Sequence, residues 1–469
     1  MNKLNKVSIL LCIMALVVVG LISSCRKDTT PITTNNLVKD VASTEVITNY
    51  NDALLKIERY AAGYRPCPVG RAMGYVGWAI YETALPGMPD YKSLASNYPG
   101  WTLPTLDKST VLNYPLALNA CQATLFKLFF PSELVQITAV ETDLKSKYST
   151  SVSQAIIDAS VKWGQDVANA TYNWAKSDVV VHDAQVDVTQ GSVYHATSPL
   201  IPGRYEAPAN KNGDAPNRNL AMFPRYGEGR VFAITNSDRV IPEPLPYSED
   251  KKSGYYAQNL EVYSRTTFGN DYDKWIAEFW SDDILGETFS PPTRWFAVSS
   301  EVYKASLCNL EKAVITNAKM GIALNDVVVA CWGNKYKYDI ERPIQYIRRV
   351  FGSDLTFPTG TDKWLTILGD PLMTPPFPAY PSGHSTMGGA AAEVLTAEFG
   401  IDFAMTDRCH EGRTEFNGTP RSFPNFYSMA EENALSRIPL GVHCRQDCTS
   451  GVTMGYQIGR KVNKLAFLK

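Results

Sequence analysis

The 469-residue chain lacks an excess of either charge: 45 Lys plus Arg stand against 47 Asp plus Glu, for a formal net charge of −2. That balance leaves no basic footprint for nucleic acid, so any anion chemistry has to come from local placement of cations. Cysteine is sparse and scattered, and none of the nine sits in a Cys-x-x-Cys pair of the zinc type. Cys444 and Cys448 stand four apart, a spacing that on a helix more often packs than bridges, and most cysteines read as small buried hydrophobes. Beyond the N-terminus no uninterrupted apolar run is long enough to span a bilayer. No unit of roughly 20–50 residues repeats, and no strand alternation of any length competes with the helical patterns. What is present, 45% hydrophobic and 11% aromatic residues, excludes a disordered, collagen-like or disulfide-knot protein.

The N-terminus carries Lys3 and Lys6, an apolar run from Val7 to Ile22 broken by Ser8 and Gly20, then Ser23, Ser24, Cys25 and the polar Arg26, Lys27 and Asp28. This is the order of a secretory signal, and it resembles a bacterial lipoprotein signal in which Cys25 is lipidated and becomes the first mature residue. The alternative is an uncleaved membrane anchor. Either places the remainder outside the cytoplasm, lipid-anchored to the cell envelope in the first case. The segments expected are a signal peptide at 1–24, a flexible Thr- and Asn-rich tether at 25–43, an N-terminal helical half with an irregular segment at 44–250, and a C-terminal helical half at 251–469.

Amphipathic helical patterns begin at Ser43 or Thr44 and recur at about Gly70–Leu85, Leu116–Phe130, Leu134–Tyr148 and Val152–Lys176. From Gly191 to Asp250 they give way to Pro, Gly, Asn and aromatics, a length that in a compact protein is usually functional or wrapping. They return at about Tyr255–Thr266, Tyr272–Trp280, Trp295–Met320, Ala323–Trp332, Ser385–Phe399 and Leu440–Phe467. The fold class expected is all-α.

Three stretches of the last third carry chemistry. Six residues separate Lys335 from Arg342-Pro343; on a helix, positions seven apart share a face about 10 Å apart, and two cations there suit an anion. Pro381-Ser382-Gly383-His384 runs into a small-residue helix, which sets backbone N–H groups and a positive helix end beside Ser382 and His384. Ser436-Arg437 is followed by His443 and Asp447, which at i and i+4 share a helical face, so that the carboxylate holds one ring nitrogen and leaves the other to bind or attack. Singly, each has an ordinary reading as a solvated face, a turn or a core histidine. His182, His195 and His410 lack such companions and read as structural. Together and in this order the three stretches fix eleven residue types.

The triple pattern is similar to that of the superfamily of type 2 phosphatidic acid phosphatases, bacterial acid phosphatases and vanadium-dependent haloperoxidases. Trp332, three residues before Lys335, and Pro375-Pro376-Phe377-Pro378-Ala379-Tyr380 resemble the haloperoxidase branch, with Phe377 where bromoperoxidases tend to carry a second His. Upstream, Ile276–Trp280, Pro291-Pro292 and Arg294-Trp295 look like the region before the first motif of bacterial members. There Asp283, or equally Asp282, would be the carboxylate that pairs with Arg437.

The resemblance implies two four-helix-bundle-like halves joined by long irregular segments, with the site in the second. It implies vanadate as cofactor, bound through His443 as the metal ligand oriented by Asp447, with Lys335, Arg342, Ser382, Gly383 and Arg437 around its oxygens and His384 as acid/base. Hydrogen peroxide and halide would be the substrates, with Lys335 polarising the peroxide. The same residues serve a phosphatase, in which His443 is the nucleophile, His384 protonates the leaving alcohol and a phosphate ester is the substrate. A third reading is a surface lipoprotein that binds an anion without turnover.

Overall fold

The computed structural model describes residues 37–61, 63–191, 201–206, 221–282, 288–352, 374–414 and 417–469. The signal at 1–24, Cys25, most of the tether, His195 and Asp283 lie outside them. The end of the tether lies inside: Val38–Asp40 forms a 3-10 turn with Val38 fully buried, and the Val41 carbonyl accepts from Leu310 N at 2.8 Å.

In chain order the helices are α1 Glu45–Glu58, α2 Cys67–Ala84, α3 Tyr114–Phe129, α4 Leu134–Ser149, α5 Gln154–Lys176, α6 Gly254–Phe268, α7 Asp271–Phe279, α8 Pro291–Ser306, α9 Leu310–Tyr338, α10 Pro343–Val350, α11 Gly383–Phe399, α12 Phe426–Leu435 and α13 Arg445–Asn463. One two-stranded antiparallel ribbon, β1 Met405–Asp407 with β2 Arg421–Phe423, pairs Asp407 with Arg421. The architecture is all-α in class.

Helix α9 is the shared wall. It is long and apolar enough to cross a membrane, yet 94% of its most apolar window is buried inside the protein, which is the pattern of a core helix. On one side it packs against α2, where a Cβ on Gly321 would lie 2.3 Å from the Met73 carbonyl oxygen, so only glycine allows the approach. On the other it packs against α11, which crosses α13 just as closely: a Cβ on Gly455 would lie 2.2 Å from Thr386 O. Helices α3, α4 and α5 complete the first bundle, and α8, α12 and α13 build out the second. A single apolar cluster runs through both.

Two helical boundaries differ from the sequence reading. The Trp295–Met320 pattern is split at Leu307, which is left-handed at φ 52°, and α9 restarts on Asn309, whose side chain caps Lys312 N. From there α9 runs unbroken through residues 321 and 322 to Tyr338. The Leu440–Phe467 pattern becomes helical only at Arg445. Local capping chemistry, weaker in sequence than apolar periodicity, set both ends.

Candidate functional site

Lys335 and Arg342 meet by a different route from the helical face expected. Helix α9 stops at Tyr338, Asp339 turns left-handed at φ 56°, and Arg342 becomes the N-cap of α10. Lys335 is fully buried, and its ammonium donates to the carbonyls of Pro378 (2.9 Å), Ala379 (2.9 Å) and Pro381 (2.6 Å). It thereby ties α9 to the Pro-rich approach of the second motif. Arg342 donates from Nε to Phe377 O at 2.9 Å and from Nη1 to Val442 O at 2.9 Å, tying the second motif to the third. The aromatic pair Trp332 and Phe377, ring centroids 4.8 Å apart, covers both cations: the Lys335 ammonium lies 5.3 Å and the Arg342 guanidinium 5.1 Å from the Phe377 ring.

Ser382 is the N-cap of α11 and accepts from Ser385 N, so the positive end of this helix opens at Gly383 and His384. Trp332 closes on the Gly383 backbone, since a Cβ there would meet the indole at 3.4 Å. Ser382 N donates to the Asp447 carbonyl at 3.0 Å, bringing α11 and α13 end to end.

His443 is likewise off the helix. Cys444 is the N-cap of α13 and Asp447 its third residue. The Asp447 carboxylate accepts from Cys444 N at 3.0 Å and meets His443 Nδ1 at 3.1 Å. The i, i+4 contact therefore arises from a capping turn. On the other ring nitrogen, Arg342 Nη1 donates to His443 Nε2 at 3.1 Å. A guanidinium only donates, so Nε2 carries the lone pair and Nδ1 the proton. Arg437 follows α12 and donates from Nη1 to Trp280 O at 2.6 Å.

Three buried cations, Lys335, Arg342 and Arg437, and two buried imidazoles, His384 and His443, thus face one another across α9, α11 and the α12–α13 turn, and the acidities of the site record it. Burial pushes Lys335 down to about 7 and Arg342 down to about 10. His443 lies well below the ordinary imidazole range, first through burial and then through Arg342, Lys335 and Arg437. His384 is depressed the same way, first by burial and then by Arg437 and Arg294. Burial raises Asp447 to about 6. Among the described residues Arg342 Nη2 and His384 Nε2 are buried with no hydrogen-bond partner. An arginine donor buried without a partner in a field of positive charge fits a tetrahedral oxyanion, whose oxygens satisfy it.

Asp282 is buried and commits both carboxylate oxygens to Arg294, from Nε and Nη2 at 2.8 Å each. In the sequence Arg294 belongs only to the stretch that resembles the region before the first motif; the signal it offers is an arginine inside an otherwise apolar helix start. His182 sits beside Arg71, away from the site, and His410 contacts Arg294 at 2.5 Å. Among the described residues the seven cysteines form no disulfide with one another. Described parts of the irregular segment hold the site's outer wall: Tyr205 N donates to Asp339 O at 3.0 Å, Met222 N to Pro376 O at 2.8 Å, and Tyr380 OH to Pro242 O at 2.6 Å.

Residues 316–467 match the model of the VCPO second helical-bundle domain. The vanadium chloroperoxidase of Curvularia inaequalis is 24% identical over 365 residues, 62% of this chain, and the match spans 57% of that protein's length. The crystal structure described as the first bacterial vanadium-dependent iodoperoxidase is 25% identical with a TM-score of 0.74, covering 91% of this chain and 97% of that one. A holo-type bacterial vanadium-dependent chloroperoxidase, 16% identical with a TM-score of 0.61 over 92% of this chain and 95% of that one, shares the fold.

Proposed function

We propose that this chain, of the vanadium haloperoxidase type, is a vanadium-dependent haloperoxidase that uses hydrogen peroxide to oxidise halide. The observation that carries the reading is the convergence of Lys335, Arg342, Ser382, Gly383, His384, Arg437 and the His443–Asp447 pair on one buried locus roofed by Trp332 and Phe377. The relatives named above support it, and none of them is a phosphatase. Bound vanadate would supply a Lewis-acidic centre that activates peroxide toward halide.

The protein's part is derived from its own residues. Asp447 fixes the His443 tautomer, so that Nε2 presents its lone pair toward the anion position. Arg342 and Arg437 hold negative charge there, in a dry site where each charge acts at low dielectric. The Gly383 N–H, at the start of α11, adds a backbone donor. His384, depressed by burial and by neighbouring cations, is neutral at physiological pH and is fitted to accept a proton at Nε2. Lys335 donates to an added oxygen only by giving up one of three carbonyl contacts, so it acts first as the strut that holds Pro378–Pro381 in place.

The test is halogenation of a dye by purified protein with peroxide and iodide or bromide, before and after orthovanadate, with p-nitrophenyl phosphate hydrolysis in parallel. Vanadate-dependent halogenation that is lost in His443→Ala is expected. Ester hydrolysis that vanadate inhibits, without halogenation, overturns the reading. The N-terminal order of charge, apolar run and Ser23-Ser24-Cys25 supports a lipid-anchored envelope protein. Fatty-acid labelling of the expressed full chain that disappears in Cys25→Ser is the expected result.

A further inference from the structure

Ser436 opens the third motif, yet the proposed reaction gives it no task. It is fully buried just past α12, and its hydroxyl donates to the Asn433 carbonyl at 2.7 Å, which satisfies a carbonyl of the last helical turn. Asn433, 1% exposed, donates in turn from Nδ2 to the His384 carbonyl at 3.2 Å. The contact crosses from α12 to α11 beside Gly388. A Cβ there would lie 2.8 Å from Asn433 Nδ2 and 3.2 Å from the Trp295 ring, so glycine is what lets the amide approach.

The His384 ring has no anchor of its own. His443 is oriented through its ring by Asp447, whereas among the described residues no hydrogen bond holds the His384 imidazole, and its Nε2 is buried without a partner. The direction of that ring is therefore set through its backbone. His384 is the second residue of α11, in a stretch with glycine at 383, 388 and 389 that has little helical stiffness of its own. We propose that Asn433 is a positioning residue for His384: its amide, braced by Ser436, fixes the His384 backbone and thereby aims the imidazole into the anion site. The inference rests on the acid/base role given to His384 above. Proton transfer falls steeply when the transferring group is misplaced. The anion itself is held by other groups, Arg342, Ser382 and His443 among them, so losing Asn433 costs turnover and spares affinity.

The test is made on the full chain for wild type, Asn433→Leu, Gly388→Ala, His384→Ala and the Asn433→Leu/His384→Ala double variant. Orthovanadate binding is measured by equilibrium dialysis, and iodide oxidation by peroxide is measured at saturating vanadate. Asn433→Leu is expected to lower turnover by roughly ten- to a hundredfold while vanadate affinity stays within about threefold of wild type. Gly388→Ala, which improves helix propensity but pushes the amide away, is expected to show the same split. In the His384→Ala background Asn433→Leu is expected to cost nothing further, since a residue that acts only through His384 has no effect once that ring is gone. Affinity that falls in step with turnover, a full additional loss in the double variant, or unchanged turnover in Asn433→Leu each overturns the inference. Should Asn433→Leu not fold, Gly388→Ala decides by the same split. Wild type that binds vanadate and hydrolyses p-nitrophenyl phosphate, but oxidises no halide, overturns the haloperoxidase reading alone; the split and the cycle are then read on hydrolysis, with phosphate as the dialysed anion. Wild type with neither activity overturns both.

Discussion

At His443 the two ring nitrogens are told apart by their partners: Nδ1–H faces the Asp447 carboxylate and Nε2 accepts from Arg342. Asp447→Asn removes the acceptor that holds this tautomer, and vanadate affinity measured by dialysis is expected to fall by about 10–100-fold, the usual cost of losing such an outer partner. Lys335 makes the pH dependence specific. Burial sets it at about 7, below its unfolded range, so its folded form binds fewer protons between there and the ordinary lysine range. Through Lys335 the protein therefore gains stability as pH rises above about 7, and the destabilising effect is fully present below it. A bound anion favours the charged ammonium, so anion binding at pH 8 is accompanied by proton uptake. Calorimetry in two buffers of different ionisation enthalpy is expected to find that uptake in wild type and to find less of it in Lys335→Met. Equal uptake in both would assign the proton elsewhere. The sequence singled out Lys335, Arg342, His443 and Asp447 by type and spacing, yet it placed two of the contacts on helical faces that do not exist. Lys335 and Arg342 meet across the left-handed Asp339, and His443 reaches Asp447 across a cap, because spacing of four or seven residues serves a turn as well as a helix.

At the scale of elements, the pocket depends on how closely α11 and α13 cross. Gly455→Ala places a methyl group against the Thr386 carbonyl and forces the helices apart, at an expected loss of about 1–3 kcal/mol in urea unfolding. Leu307, at the break between α8 and α9, is left-handed and 88% exposed. Leu307→Gly is expected to stabilise by about 0.5–1 kcal/mol, because glycine adopts that conformation without steric cost and little packing is lost. A loss of stability there would show that the Leu307 side chain contributes more than its exposure indicates. Most of the helices were legible from apolar period because each buries one face; α9, buried nearly all round, read as two patterns with an interruption between them. Helix α12 and the β1–β2 ribbon were not legible: the first is short, and the second is three residues per strand, too few for alternation to register.

For the whole molecule, the two bundles share one apolar core and the described parts of the 191–250 segment bind the first to the motif loops of the second. What the sequence could not show was the charge behind the site: Arg294, Asp407 and His410 come from three separate stretches, and only the tertiary packing of α7, α8 and β1 unites them. Ligand at the site should therefore be felt by the entire body. Orthovanadate at about 100 times its dissociation constant is expected to add about 2.7 kcal/mol to unfolding, read as a higher melting temperature in wild type and no change in His443→Ala. The measurement that bears most directly on the account is a crystal structure of the protein grown with orthovanadate. The expected result is vanadium density joined to His443 Nε2, its oxygens within hydrogen-bond reach of Arg342, Arg437, Ser382 and the Gly383 N–H. Density bound elsewhere, or none at His443 under saturating vanadate, would contradict it.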